Sequence, residues 1–211
     1  MGYVQPLRTH RSTPSGAPVN APARRYHHGD LHNALRDAAR SILEREGLSA
    51  LTLRAVARQA GVSHAAPYRH FASREALLVE LAREGFEELR GELVAAGSRP
   101  GLEDDRIASI GAAYMRFVAR RPALVRLMFG PQLPNRDTFP ELAAAADAVG
   151  AEIGAALNDA ALGLAVWAAV HGLAMLILEN VVDLGQRRSG LHVLPSRAEI
   201  LLRSLFARTQ H

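Results

Sequence analysis

The sequence predicts an all-α fold: a small N-terminal unit of three helices, then a larger helical domain. Three observations carry this. The stretch LTLRAVARQAGVSHAAPYRHFASREALL, from Leu51 to Leu78, holds two short apolar-periodic runs, a turn glycine and three residues suited to capping helices. One long amphipathic run follows, from Ser73 to about Ala95. Further apolar-periodic runs continue to Arg208, and one of them, from Ala160 to about Asp183, is almost wholly apolar.

Residues 1–25 are rich in Pro, Ser, Gly, Ala and Arg and show no periodicity. They bury too little to order themselves. Two readings stand for them: a plain disordered tail, or a basic arm that lies in a DNA minor groove through Arg24 and Arg25. Asp30 suits the N-cap of the first helix, whose inner face is Leu31, Leu35, Ala38, Ile42 and Leu43; Gly47 ends it. Thr52 caps the second helix, with Leu53, Val56, Ala57 and Ala60 on one face. Gly61 closes it where a positive φ is needed, and Ala57 and Gly61 imply a close helix crossing. Ser63 caps a third short helix ending at Phe71. Pro67 gives that helix a tight or partly 3₁₀ start, because proline removes an early backbone hydrogen bond.

Helices this short do not stand alone. Packed as a pair they form a helix-turn-helix, in which the second helix enters the major groove by its N-terminal end. Charge placement agrees. Of the net charge of +4, residues 1–29 carry four Arg and no acid; residues 30–75 carry seven Arg against five acids, and the rest is net acidic. A phosphate-binding end is expected to be the basic one.

The same residues carry a resemblance. Between about residues 28 and 90 the chain resembles the DNA-binding domain of TetR-type transcriptional repressors, down to the Y-x-H-F-x-S-x-E-A-L-L ending at Tyr68–Leu78. Pattern and resemblance together give the candidate DNA contacts. His64, Ala65, Tyr68 and Arg69 form the exposed face of the second helix of the pair, and Thr52, Arg54 and Ser63 begin the two helices. His28 lies near a phosphate at the start of the first helix. His70 and Arg74 lie on the backbone, and Arg25 belongs to the arm. The resemblance implies that positions such as Tyr68 and His70 clamp phosphates, and that the long helix transmits ligand binding.

Along that helix Leu77, Leu81, Phe86, Leu89 and Leu93 mark an inner face, and Glu80, Glu84, Glu87, Glu88 and Glu92 an outer one. Next come a helix over 104–120, with Ile107, Ile110, Tyr114, Phe117 and Val118 inward, and a short one opened by Pro122. A loop over 130–140 and a small-residue helix over 141–156 follow, with Asn158 and Asp159 as break or cap. The apolar segment from Ala160 is about long enough to span a bilayer. Its Ala content, its central His171 and the lack of flanking basic clusters point instead to a helix covered on nearly every side, which requires a partner subunit. With the terminal amphipathic helix Arg197–Arg208 it suits a four-helix dimer interface, as the last two helices of TetR-like proteins do.

Within that segment Trp167-x-x-x-His171-Gly172 places Trp167 and His171 on one face and resembles the "WHG" class of TetR C-terminal domains. Two readings stand for the pair. In one they line a ligand pocket with Tyr114, Phe129 and Met175. In the other His171 is a core histidine, satisfied by a carbonyl or by Tyr114. Gly172 is expected to let another helix approach.

The expected organisation is therefore an arm over 1–25, a helix-turn-helix domain over 26–75, and an effector-binding and dimerisation domain over 76–211. No signal peptide is read at the start, and with no cysteine a cytoplasmic location is expected. No nucleophile elbow, phosphate loop or metal spacing points to an enzyme, a metal or a cofactor. The implied partners are palindromic double-stranded DNA, a second copy of the chain and a small-molecule effector. The alternative is an architectural DNA-binding protein without an effector.

Overall fold

A computed structural model describes residues 28–98, 100–133 and 138–182, with Ile200 and Ser204 besides; of residues 28–30 it describes the backbone. Among these the elements are seven α-helices: α1 His28–Glu46, α2 Leu53–Gln59, α3 Arg74–Gly97, α4 Glu103–Arg120, α5 Pro122–Phe129, α6 Pro140–Leu157 and α7 Ala160–Leu178. Short 3₁₀ turns lie at Leu48–Ala50 and Pro67–Arg69. The arm with Arg25, the side chain of His28, residues 134–137 of the loop and all but Ile200 and Ser204 of the predicted terminal helix lie outside the described residues.

The helix boundaries follow their caps. The Ala55 N–H donates to Thr52 Oγ1 and the Ala76 N–H to Ser73 Oγ, both at 3.1 Å, opening α2 and α3. Asn158 ends α6 in the left-handed region, at φ 53°. Asp159 then opens α7, its carboxylate accepting from Ala161 N and Leu162 N at 2.8 and 3.0 Å. Asn158 and Asp159 thus act as break and cap at once.

One apolar core runs the length of the described chain. Leu35, Ala39, Leu43, Leu51, Val56, Phe71 and Leu77 bury each other at the N-terminal end. The inner face of α3, as predicted, continues this core onto α4, α5 and α6. The glutamates opposite are not a plain solvated face. Three of them pair with α1 in register: His32–Glu80 at 3.3 Å, Arg36–Glu84 at 2.6 Å, and Arg40–Glu88. Glu92 pairs with Arg120 of α4. Residues four apart share a helix face, so two facing stripes of opposite charge mesh along α1 and α3. Burial raises the carboxyl of Glu84 above its usual range, against the pull of Arg36 and Arg40. Burial also pushes Glu88 up, but Arg40 and Arg121 together outweigh it and hold that carboxyl low.

Among the described residues of the single chain, helix α7 is covered on one side. It buries Gly163, Val166, Val170, Ala174, Ile177 and Leu178 against α6 and α4. The opposite face stays open: Leu164 is 62% and Leu176 43% exposed. Length and composition would allow α7 to cross a membrane, and a third of it is buried within the chain. Gly172 meets no neighbour in the described chain. The close crossing lies elsewhere, where a Cβ on Gly163 would come within 2.5 Å of the Gly154 backbone.

Candidate functional site

The first site is the tip built by α2 and the segment after it. Helix α2 ends in a Schellman arrangement: Val62 N donates to Ala57 O at 3.0 Å across Gly61, whose φ is +70°. A Cβ at Gly61 would meet open space. The glycine is therefore required by its backbone conformation, and the close contact falls to Ala57 alone, which is fully buried.

The segment from Ser63 to Phe71 is not the continuous second helix that was expected. His64 and Ala65 form a turn, and only Pro67–Arg69 is helical, as a 3₁₀ turn. Ser63 O accepts from Ala66 N, three residues on, where an α-helix would use the N–H of residue 67. Residue 67 is proline, which has no N–H and crowds the carbonyl four residues back. Ser63 makes no side-chain cap here. Pro67 and Phe71 are buried and anchor the segment on α1 and α2, so the residues between them are held outward.

Thr52, Arg54, Ser63, His64, Ala65, Tyr68 and Arg69 are all exposed on this tip, Tyr68 by 56%. The structure therefore brings together seven of the eleven candidate DNA contacts. Thr52 also has its capping duty. His70 is half-buried and meets His32 of α1 edge-on, with ring centroids 5.7 Å apart. Arg74 has structural work of its own: its Nε donates to Leu51 O at 2.6 Å and an Nη to Leu48 O at 2.8 Å. It clamps the start of α3 to the turn before α2, so a phosphate contact would fall to its remaining N–H groups. Arg25 and the His28 side chain lie outside the described residues.

The second site is on α7. The Tyr114 hydroxyl and His171 Nδ1 are 2.7 Å apart, and the Phe129 and His171 rings lie 4.3 Å between centroids. Tyr114 is 1% exposed. Burial raises the Tyr114 phenol well above its ordinary value and lowers the His171 imidazole below its own, so both are neutral near pH 7. Trp167 packs against Gly150, where a Cβ would come within 2.9 Å of the indole. Its buried Nε1 has no hydrogen-bond partner, although it faces the Tyr114 oxygen closely enough to offset slightly the rise that burial causes there. Trp167 also borders a groove of about 670 Å³ between α6 and α7, floored by Gly150, Ala151 and Gly154. Met175 is half-buried against the core. The five candidates thus divide into a packed Tyr114–His171–Phe129 cluster, a tryptophan at a groove, and a methionine half-buried against the core.

Two family models match these two regions. Residues 35–81 match the bacterial regulatory proteins of the tetR family, and residues 107–189 match the tetracyclin repressor-like C-terminal domain. The chain belongs to the TetR family. It is therefore a DNA-binding transcriptional regulator of helix-turn-helix type. Among its relatives, it is 35% identical over 77 residues to the HTH-type transcriptional regulator BetI of Rhizobium meliloti (strain 1021). That match spans 36% of this chain and 38% of the relative. It is 27% identical over 158 residues to an uncharacterized HTH-type transcriptional regulator, Rv0681 of Mycobacterium tuberculosis (strain ATCC 25618 / H37Rv), covering 70% of each. The same TetR fold is seen in a regulatory protein from Rhodococcus RHA1, with a TM-score of 0.66 at 20% identity, over 82% of this chain and 95% of that one.

Sequence reasoning missed one connection in this TetR-family chain. Glu44, near the end of α1, accepts from Ala123 N at 3.4 Å and Leu124 N at 3.2 Å, and so caps α5 from the DNA-binding side. The signal was a helix opening on Pro122 with no capping side chain of its own.

Proposed function

We propose that this TetR-family protein is a cytoplasmic, homodimeric repressor, released from a palindromic operator by a small-molecule effector. The observation that carries the DNA reading is the exposed tip, where Arg54, His64, Tyr68 and Arg69 stand out from a segment anchored by buried Pro67 and Phe71. Two such tips related by two-fold symmetry would enter successive major grooves, about 34 Å or a multiple apart. Dimerisation is supported by the open apolar face of α7. The arm over 1–25, the DNA-binding unit over 26–75 and the remainder over 76–211 form the working divisions of this reading.

Effector binding is supported by Trp167, which borders a groove of about 670 Å³ between α6 and α7. The close packing of Tyr114, His171 and Phe129 favours a second reading, in which the region is structural and the protein is an architectural DNA binder. A thermal-shift screen of small molecules on wild type and Trp167→Ala separates the two: an effector-responsive protein gains stability only when Trp167 is present.

The DNA reading is tested by gel shift at low salt on the DNA flanking the coding region. Wild type is expected to retard it. Arg54→Ala and Tyr68→Ala are each expected to weaken binding by about 1–3 kcal/mol. Unchanged binding in both variants sinks the assignment of the tip.

A further inference from the structure

We propose a small-molecule site at the seam between the DNA-binding unit and the rest of the chain, shaped for a compact apolar amine. A groove of about 590 Å³ lies between α1, α3 and the start of α6. That volume falls within the usual range for small-ligand sites, about 300–1,000 Å³. Its apolar lining comes from Ala76 and Val79 of α3, and from Phe139, Pro140 and Leu142 at the opening of α6. None of these residues touches the groove bordered by Trp167, so the two sites are separate.

The charges in the groove decide the ligand class. Glu80 of α3 and Glu141 of α6 both line it. Glu80 is largely covered, with its side chain 22% exposed, and its neighbour is His32 at 3.3 Å. Glu141 is exposed. Arg83 also lines the groove, but its guanidinium is held by Glu87 at 2.5 Å. The positive end of α6 already has Glu141 in its first turn. Beside the His32 ring and Thr138, what remains is a pair of carboxylates over an apolar floor. A hydrocarbon or aromatic body would cover Val79, Phe139 and Leu142 while an ammonium group bridges Glu80 and Glu141 by charge-assisted hydrogen bonds.

The site has a direct line to the DNA-binding tip. An ammonium on Glu80 competes with His32, and His32 stacks on Phe71 at 5.2 Å and meets His70 at 5.7 Å. Those two residues end the segment that presents Tyr68 and Arg69. This consequence rests on the DNA reading above; amine binding does not.

The test uses the full chain and three probes sharing one environment-sensitive fluorophore: cationic dansylcadaverine, its neutral N-acetyl derivative, and anionic dansylglycine. Dansylcadaverine is expected to bind saturably, about tenfold or more tighter than the other two, the span of one charged hydrogen bond. Glu80→Gln and Glu141→Gln are each expected to erase most of that preference, and Val79→Trp to block all three probes. Glu141 is exposed, so its variant keeps the test sound if Glu80→Gln perturbs the His32 pairing. Equal or tighter binding of the neutral or anionic probe, no saturable signal from dansylcadaverine, or indifference to Glu141→Gln and Val79→Trp overturns the proposal. A gel shift that fails while dansylcadaverine binds would reject the DNA reading and leave this site standing.

Discussion

At the scale of single residues, His171 shows how burial sets chemistry. Its imidazole is pushed below its ordinary pKa by loss of water, and its Nδ1 is engaged by the Tyr114 hydroxyl. A histidine free in the unfolded chain gains its proton near pH 6.5, whereas the folded one resists it. As pH falls through 6.5, the unfolded state binds protons that the folded state refuses, so stability drops. Thermal melts from pH 7 to pH 5 are expected to fall more steeply for wild type than for His171→Asn, which cannot titrate. Parallel curves would show that His171 is not held neutral. The sequence made Trp167 and His171 visible by their four-residue spacing, and Tyr114 as an inward residue. It left open which group satisfied the imidazole, because the partner is 57 positions away and only the fold sets that distance.

At the scale of elements, what local pattern can announce was legible. Thr52, Ser73 and Asp159 cap where short side chains precede apolar runs, and the inner face of α3 is buried as its period implied. Pro67 signalled a tight start, but its full effect, a turn and one 3₁₀ turn in place of a helix, depends on how Pro67 and Phe71 are buried together. The charge stripes His32-Arg36-Arg40 and Glu80-Glu84-Glu88 were each readable at period four. Their meshing was not, since register between helices is a tertiary property. Glu44 continues the first stripe and ends on α5. Glu44→Ala leaves the N–H groups of Ala123 and Leu124 without their acceptor, and is expected to cost about 0.5–2 kcal/mol, the usual worth of an N-terminal cap. Urea melts of Glu44→Ala and Glu44→Gln check this, with the amide keeping part of the cap. Since α5 is held from α1 by this carboxylate, α1 cannot shift against α5 without breaking it.

At the scale of the whole molecule, the feature that matters is the open side of α7. Ala161, Ala165, Ala168, Gly172 and Leu176 recur every three or four residues with Leu164 beside them, so they share one face, opposite buried Val166, Val170 and Ala174. Small residues along such a stripe let a second helix approach closely, and the absence of any neighbour at Gly172 leaves room for one. If two recognition tips meet on one duplex, as proposed above, a face this apolar is best covered by a second copy of the chain. Leu164→Glu puts a charge in the middle of that face. In the single chain Leu164 is 62% exposed, so the substitution should leave the fold and its melting transition nearly unchanged. Across a dimer interface the carboxylate would be buried without a partner, at a cost of about 3 kcal/mol or more, raising the dimer dissociation constant about 100-fold. Sedimentation velocity reads this directly. Operator affinity should fall with it, because a lone subunit holds one half-site and loses the gain from two linked contacts. A variant that sediments like wild type would place the subunit interface elsewhere, and a wild type that is monomeric at every concentration would remove the two-fold model of operator recognition.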